Sequence, residues 1–133
     1  VPLSFIGPNL AGPVTDAINQ TEVSWGQVPM ILSETGLGRV RVERWFKQLS
    51  LKPTVYGQVS GHEAIVAMVA LGFGVGVVPE LVLSNSPMAE KVRLLNVQPE
   101  LEPFSVGLCA LNQHMTHPLV RAFWQVSEDW LKA

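Results

Sequence analysis

Between Arg39 and Leu49 the apolar residues Val42, Trp45, Phe46 and Leu49 recur at i, i+3, i+4 and i+7, while Arg41, Arg44 and Lys47 fall elsewhere on the helical wheel. The spacing predicts an amphipathic helix with one solvated basic face. A second helix follows over His62–Leu71, where Ile65, Met68, Val69 and Gly72 keep the same period and Ala64, Ala67 and Ala70 leave the other faces small and nearly apolar. That composition suits a helix buried on most sides. The third spans Pro118–Leu131, with Leu119/Val120, Phe123/Trp124 and Trp130/Leu131 as its stripe, Thr116 as expected N-cap, and His117-Pro118 in a first turn that needs no amide donor. Between these lie short β-rich runs at Pro2–Ile6, Val28–Leu32, Pro53–Val59, Gly74–Val78, Val92–Val97 and Phe104–Leu111, bounded by Gly, Pro, Asn and Ser. Asn9–Gln27 is polar and turn-rich, and is expected to be a loop with a short helical turn. Alternation of strand and helix argues for an α/β fold with parallel pairing.

The chain has 133 residues, 47% of them apolar, which supports one core and hence one domain or one lobe of a larger one. The 9 basic and 11 acidic residues nearly cancel, and the only basic cluster is Arg39, Arg41, Arg44 and Lys47. Nucleic-acid binding by this stretch therefore has no electrostatic support. Its single cysteine, Cys109, lies in the apolar run "VGLCAL" and reads as a small hydrophobe in a reducing, cytoplasmic setting. No apolar stretch approaches the ~20 residues that span a bilayer, so no membrane partner is expected. The opening "VPLSFIGP" reads as a strand entered in mid-course, as in a fragment.

Two phrases imitate known chemistry. His62-Glu63 is half of a zinc-protease motif, but a helical pair of ligands needs a second His at i+4, where Val66 stands. His114 and His117 supply too few ligand types for a closed site, so no metal is expected. Gly72-x-Gly74-x-Gly76 follows a helix and precedes a strand, the reverse of a dinucleotide fingerprint, so no nucleotide cofactor is expected. Gly72 then serves as a left-handed helix end, and Gly74 and Gly76 allow close packing of the next strand. Ser60-x-x-Glu63 fits a capping box.

Location makes that cap more than a cap. The strand Pro53–Val59 leads into the helix at His62, and Val28–Leu32 leads through "SETGLG" into the helix at Arg39. Helix starts at the carboxyl ends of neighbouring parallel strands are where an open α/β sheet presents its ligand crevice. Free amides, the hydroxyls of Ser33, Thr35 and Ser60, and the charge of Arg39 favour a small carboxylate there, with His62 in reach to donate. No Ser-His-Asp set, buried carboxylate pair or activated nucleophile can be assembled, so catalysis is not expected.

"VSGHEAIVAMVALGFGVGVVPELVL" resembles the signature stretch of the effector-binding domain of LysR-type transcriptional regulators, and "VERWF", "SNSP" and "HPLVRAFW" extend the likeness over nearly the whole chain. The resemblance implies a periplasmic-binding-protein-like (type 2) α/β effector domain, of which this chain supplies mainly one lobe: a Rossmann-like parallel or mixed sheet with flanking helices. It implies residues 1–6 as the first crossover strand, 7–103 as the second lobe, 104–111 as the return crossover strand and 112–133 as the C-terminal helix of the first lobe. The helix-turn-helix domain, and with it any DNA contact, is expected outside this chain. The likeness is narrowest to the family's activators of branched-chain amino-acid synthesis. It thereby implies 2-acetolactate or 2-acetohydroxybutyrate as effector, held by Ser33, Thr35, Gly36, Gly38, Arg39, Ser60, Gly61 and His62, with Phe104 or Leu37 at the apolar end. Self-association as a dimer or tetramer is expected through the C-terminal stripe. The alternatives are a regulator of this family with a different small carboxylate effector and a small α/β enzyme acting on a keto acid.

Overall fold

The computed structural model describes residues 1–132 and builds one five-stranded sheet flanked by helices on both faces. Its elements run β1 (Leu3–Pro8), α1 (Pro13–Ile18), β2 (Pro29–Ser33), α2 (Leu37–Gln48), β3 (Thr54–Val59), α3 (His62–Ala70), β4 (Val75–Pro79), α4 (Glu80–Ser84), β5 (Val92–Leu95) and α5 (Pro118–Lys132). The strand order is β3-β2-β4-β1-β5. β2 is parallel to β3 and β4, whereas β1 is antiparallel to β4 and β5. The sheet is therefore mixed. Ala133, the last residue of the expected C-terminal segment, lies outside the described residues.

Strict alternation along the strands splits the core into two layers. Leu3, Phe5, Met30, Leu32, Val75 and Val77 face α1 and α2, packing on Val14, Ile18, Val42, Trp45 and Phe46. Ile6, Ile31 and Val78 point the other way, onto Ile65, Val66, Val69 and Ala70 of α3. Because both faces are covered, β4 reads as an uninterrupted apolar run, and all five of its residues are buried. Phe5, Trp25 and Trp45 form a mutually packed aromatic cluster, with ring centroids 4.7–5.4 Å apart in edge and tilted geometries.

The glycines behave as the chain order requires. Gly72 takes φ +87°, its amide donating to the Val69 carbonyl and that of Phe73 to Met68, the paired bonds of a Schellman end. A Cβ on Gly76 would stand 2.4 Å from Ile65 Cγ2, so its absence lets α3 lie directly on β4. A Cβ on Gly74 would meet the Pro29 carbonyl at 2.7 Å, across the β2–β4 pairing.

Three local expectations fail. The capping box does not form: Gly61, at φ +91°, is the N-cap of α3, which moves Ser60 one position outside the register that S-x-x-E requires. Glu63 instead accepts a 2.6 Å bond from the Ser86 hydroxyl, tying α3 to the turn after α4. Thr116 is not the cap of α5, because its hydroxyl closes the preceding 3-10 turn on Gln113, while His117 Nδ1 accepts from the Leu119 amide. Residues 104–111 join no ladder among the described residues: the Phe104 amide donates to the Val1 carbonyl, but a β-rich run becomes a strand only where a neighbouring edge continues such bonds along it. The loop at 9–27 holds α1 and a 3-10 turn at Trp25–Gln27, as anticipated.

Candidate functional site

β2 and β3 are neighbours with Ser33 paired to Val59, so the loops that follow them leave the same edge of the sheet side by side. The Glu34 amide donates to the Val59 carbonyl at 3.1 Å and holds the two loops together. Each loop ends on a glycine N-cap with positive φ, Gly36 at +98° before α2 and Gly61 at +91° before α3. Neither helix start has a side-chain cap, and nothing lies within 4 Å of where a Cβ on Gly36 or Gly61 would stand. Two sets of first-turn amides thus open onto space with their helix dipoles behind them, an arrangement that attracts a small anion.

The floor between the two starts is Gly38. A Cβ there would lie 3.8 Å from His62 Cε1 and 3.9 Å from Phe104 Cζ, so an imidazole and a phenyl ring both border this bare stretch of backbone. His62 Nδ1 is buried without a hydrogen-bond partner, an unsatisfied polar atom in a half-buried first turn. The group offers a carboxylate amide donors, an oxygen substituent an imidazole nitrogen, and an alkyl group an aromatic face.

Of the expected site residues, Gly36, Gly38, Gly61, His62 and Phe104 come together here. Ser33 ends β2 half-buried, and its carbonyl accepts from Arg39 Nη1 at 3.1 Å. Arg39 also bonds Glu43 at 2.8 Å, so its guanidinium braces the 33–38 loop against α2. Thr35 and Ser60 lie on the exposed lips of the two loops. Arg41, which the helical wheel places on the solvated face of α2, instead belongs to this group. Its side chain is only 15% exposed and its Cζ sits 6.0 Å over the Phe104 ring. The signal was available, since Arg41 stands one helical turn from buried Trp45 and so borders the apolar stripe.

A cavity of about 580 Å³ opens along the same sheet edge, lined by the start of β1, Glu80 just after β4, and the end of β5. Ser4 Oγ donates to Glu80 Oε1 across it at 2.6 Å. Among the described residues, no three His, Cys, Asp or Glu side chains gather as metal ligands, and no helix is long and apolar enough to cross a membrane.

Residues 15–132 match the family described as the LysR substrate binding domain. Over 129 residues the chain is 39% identical to the HTH-type transcriptional activator IlvY of Haemophilus influenzae, covering 96% of this chain and 44% of that protein. It is 40% identical over 125 residues to the transcriptional regulator IlvY of Escherichia coli, covering 92% and 42%. The chain thus spans less than half the length of these relatives. Among solved structures it is similar to the regulatory domain of Synechocystis CcmR in complex with 2-PG, with a TM-score of 0.62 at 18% identity over 91% of this chain and 62% of that one. The cofactor-binding domain of the Cbl regulator is similar at a TM-score of 0.58 and 23% identity, over 86% and 53%.

Proposed function

The chain belongs to the LysR substrate binding domain family, and from that premise we propose that it is the effector-sensing part of a transcriptional activator of branched-chain amino-acid synthesis, responsive to 2-acetolactate or 2-acetohydroxybutyrate. One observation carries the reading: the glycine-capped starts of α2 and α3 lie side by side, with His62 and Phe104 both bordering Gly38. Both effectors are branched 2-hydroxy-3-keto acids. Their carboxylate would take the amides and hydroxyls of Ser33–Gly38 and Ser60-Gly61, with Arg39 adding charge. His62 would act as a further donor, and the alkyl group would rest on Phe104.

In the two-lobed domain this chain would supply the second lobe in residues 7–103, crossover strands at 1–6 and 104–111, and a helix of the first lobe in 112–133. Effector bound between lobes shifts the balance of their relative orientations by its differential affinity, and an oligomer transmits that shift to the DNA-binding domains. The relatives with 39–40% identity are transcription regulators, which supports a sensing rather than a catalytic role in the cytoplasm.

Calorimetric titration of the full-length protein with 2-acetolactate tests the reading. Saturable binding at one site per protomer is the expected result. No heat at millimolar ligand would sink the effector assignment, tighter binding of another small carboxylate would reassign it within the family, and consumption of the ligand would point to an enzyme acting on a keto acid.

A further inference from the structure

Residues 99–104 cross the flank of α2 as a strap, and the helix grips it through three side chains, Arg41, Arg44 and Trp45. Trp45 Nε1 donates to the Pro99 carbonyl at 2.6 Å. Arg41 Nη1 and Arg44 Nη1 each stand 3.3 Å from the same Glu102 carboxylate oxygen. Arg41 reaches further along the strap than Arg44 does: its Nη2 faces the Pro103 carbonyl at 3.5 Å and its Cζ lies over the Phe104 ring. On the other side, the Phe104 amide donates to the Val1 carbonyl at 2.9 Å, which ties the end of the strap to the segment leading into β1.

The two arginines of this cluster differ. Arg44 is 56% exposed and Arg41 only 15%, with Arg41 Nε buried and unpartnered. A cation held only for solubility would extend into water and satisfy that N–H there. Arg41 instead stays mostly buried, its Cζ 6.0 Å from the centre of the Phe104 ring, whose own Cζ lies 3.9 Å from where a Cβ on Gly38 would stand.

We propose that Arg41 is a positioning residue of the ligand site: together with Glu102 it clamps the strap onto α2 and so fixes the Phe104 ring as the apolar wall of the site. The inference rests on the ligand site proposed above and deepens it. Arg41 does not touch the ligand. It sets the distance between the phenyl wall and Gly38, and with it how long an alkyl branch the site accepts.

The test uses the full-length protein, titrated calorimetrically with 2-acetolactate and, separately, with 2-acetohydroxybutyrate, in wild type, Arg41→Gln, Glu102→Gln and the double variant. Loss of a partly buried cation-aromatic contact and an ion pair should raise the dissociation constant roughly fivefold in Arg41→Gln, and loss of the more exposed carboxylate about twofold in Glu102→Gln. The double variant should be no weaker than Arg41→Gln, because both changes remove one clamp. The preference between methyl- and ethyl-bearing effectors should shift in each variant. A lower melting temperature with unchanged affinities and unchanged preference would mean a structural role only and would overturn the proposal; Glu102→Gln keeps this outcome readable should Arg41→Gln fold poorly. Hydrogen exchange in the ligand-free protein separates this inference from the effector assignment. Faster exchange over residues 100–105 in both variants supports the clamp even where wild type takes up neither keto acid, and unchanged exchange overturns it.

Discussion

At Gly36 and Gly61 the backbone occupies a region that L side chains rarely adopt, with φ near +90° to +100° and ψ extended. Space is not the constraint, since a Cβ at either position meets nothing. Alanine at either site should therefore lower stability by about 1–3 kcal/mol through backbone strain alone, as read by urea unfolding. Ser60 and Glu63 divide what sequence reasoning had joined. Ser60→Ala should leave unfolding within about 0.5 kcal/mol, because no cap is lost, while weakening effector binding if its hydroxyl contacts the ligand. Glu63→Ala should cost about 1 kcal/mol through the bond to Ser86 and leave affinity nearly unchanged. Loss of stability in Ser60→Ala, or of affinity in Glu63→Ala, would contradict this division. The residue types were legible, since Ser-Gly-His-Glu after a strand announces a helix start. Which of them caps it depends on a single φ value.

Elements were readable wherever a period persisted for two turns or more. α2 and α3 appear within about two residues of their expected limits because each buries a face that the spacing defines. The short α4 was not legible, since five residues hold too little period to register. α5 is the opposite case. Its stripe was plain in the sequence and the helix forms, yet Leu119, Phe123 and Trp130 stand 75%, 65% and 72% exposed. Leu108, Cys109 and Ala110 line an apolar hollow with Leu119, Val120, Phe123 and Trp124, so the segment presents one continuous apolar surface. A surface of this kind promotes association. The 133-residue chain should accordingly form dimers or larger species in sedimentation velocity, and Phe123→Asp with Trp130→Asp should return it to a monomer. Persistence of the larger species in that double variant would locate association elsewhere.

In the reading proposed above, the whole molecule would present one wall of a cleft. The helix starts, Gly38, His62 and Phe104 all lie on the carboxyl-end edge of the sheet, open to solvent on the side away from it. A ligand held from one side loses the desolvation and contacts of a second wall. On that reading the full-length protein should bind 2-acetolactate at least tenfold more tightly than residues 1–133 alone, measured by parallel calorimetric titrations, and equal affinities would show that residues 1–133 suffice. By itself the sequence determined the α/β class, the three principal helices, the glycine-dependent packing around Gly72–Gly76 and the pair of helix starts, because each follows from local periodicity or from a steric demand of one residue. Long-range contacts alone account for β1 running antiparallel, for 104–111 forming no ladder among the described residues, and for Arg41 turning inward while Arg39 braces its own loop. Those outcomes depend on which segments distant in sequence become neighbours, where one residue's position along a helix sets whether a charge meets water or an aromatic ring.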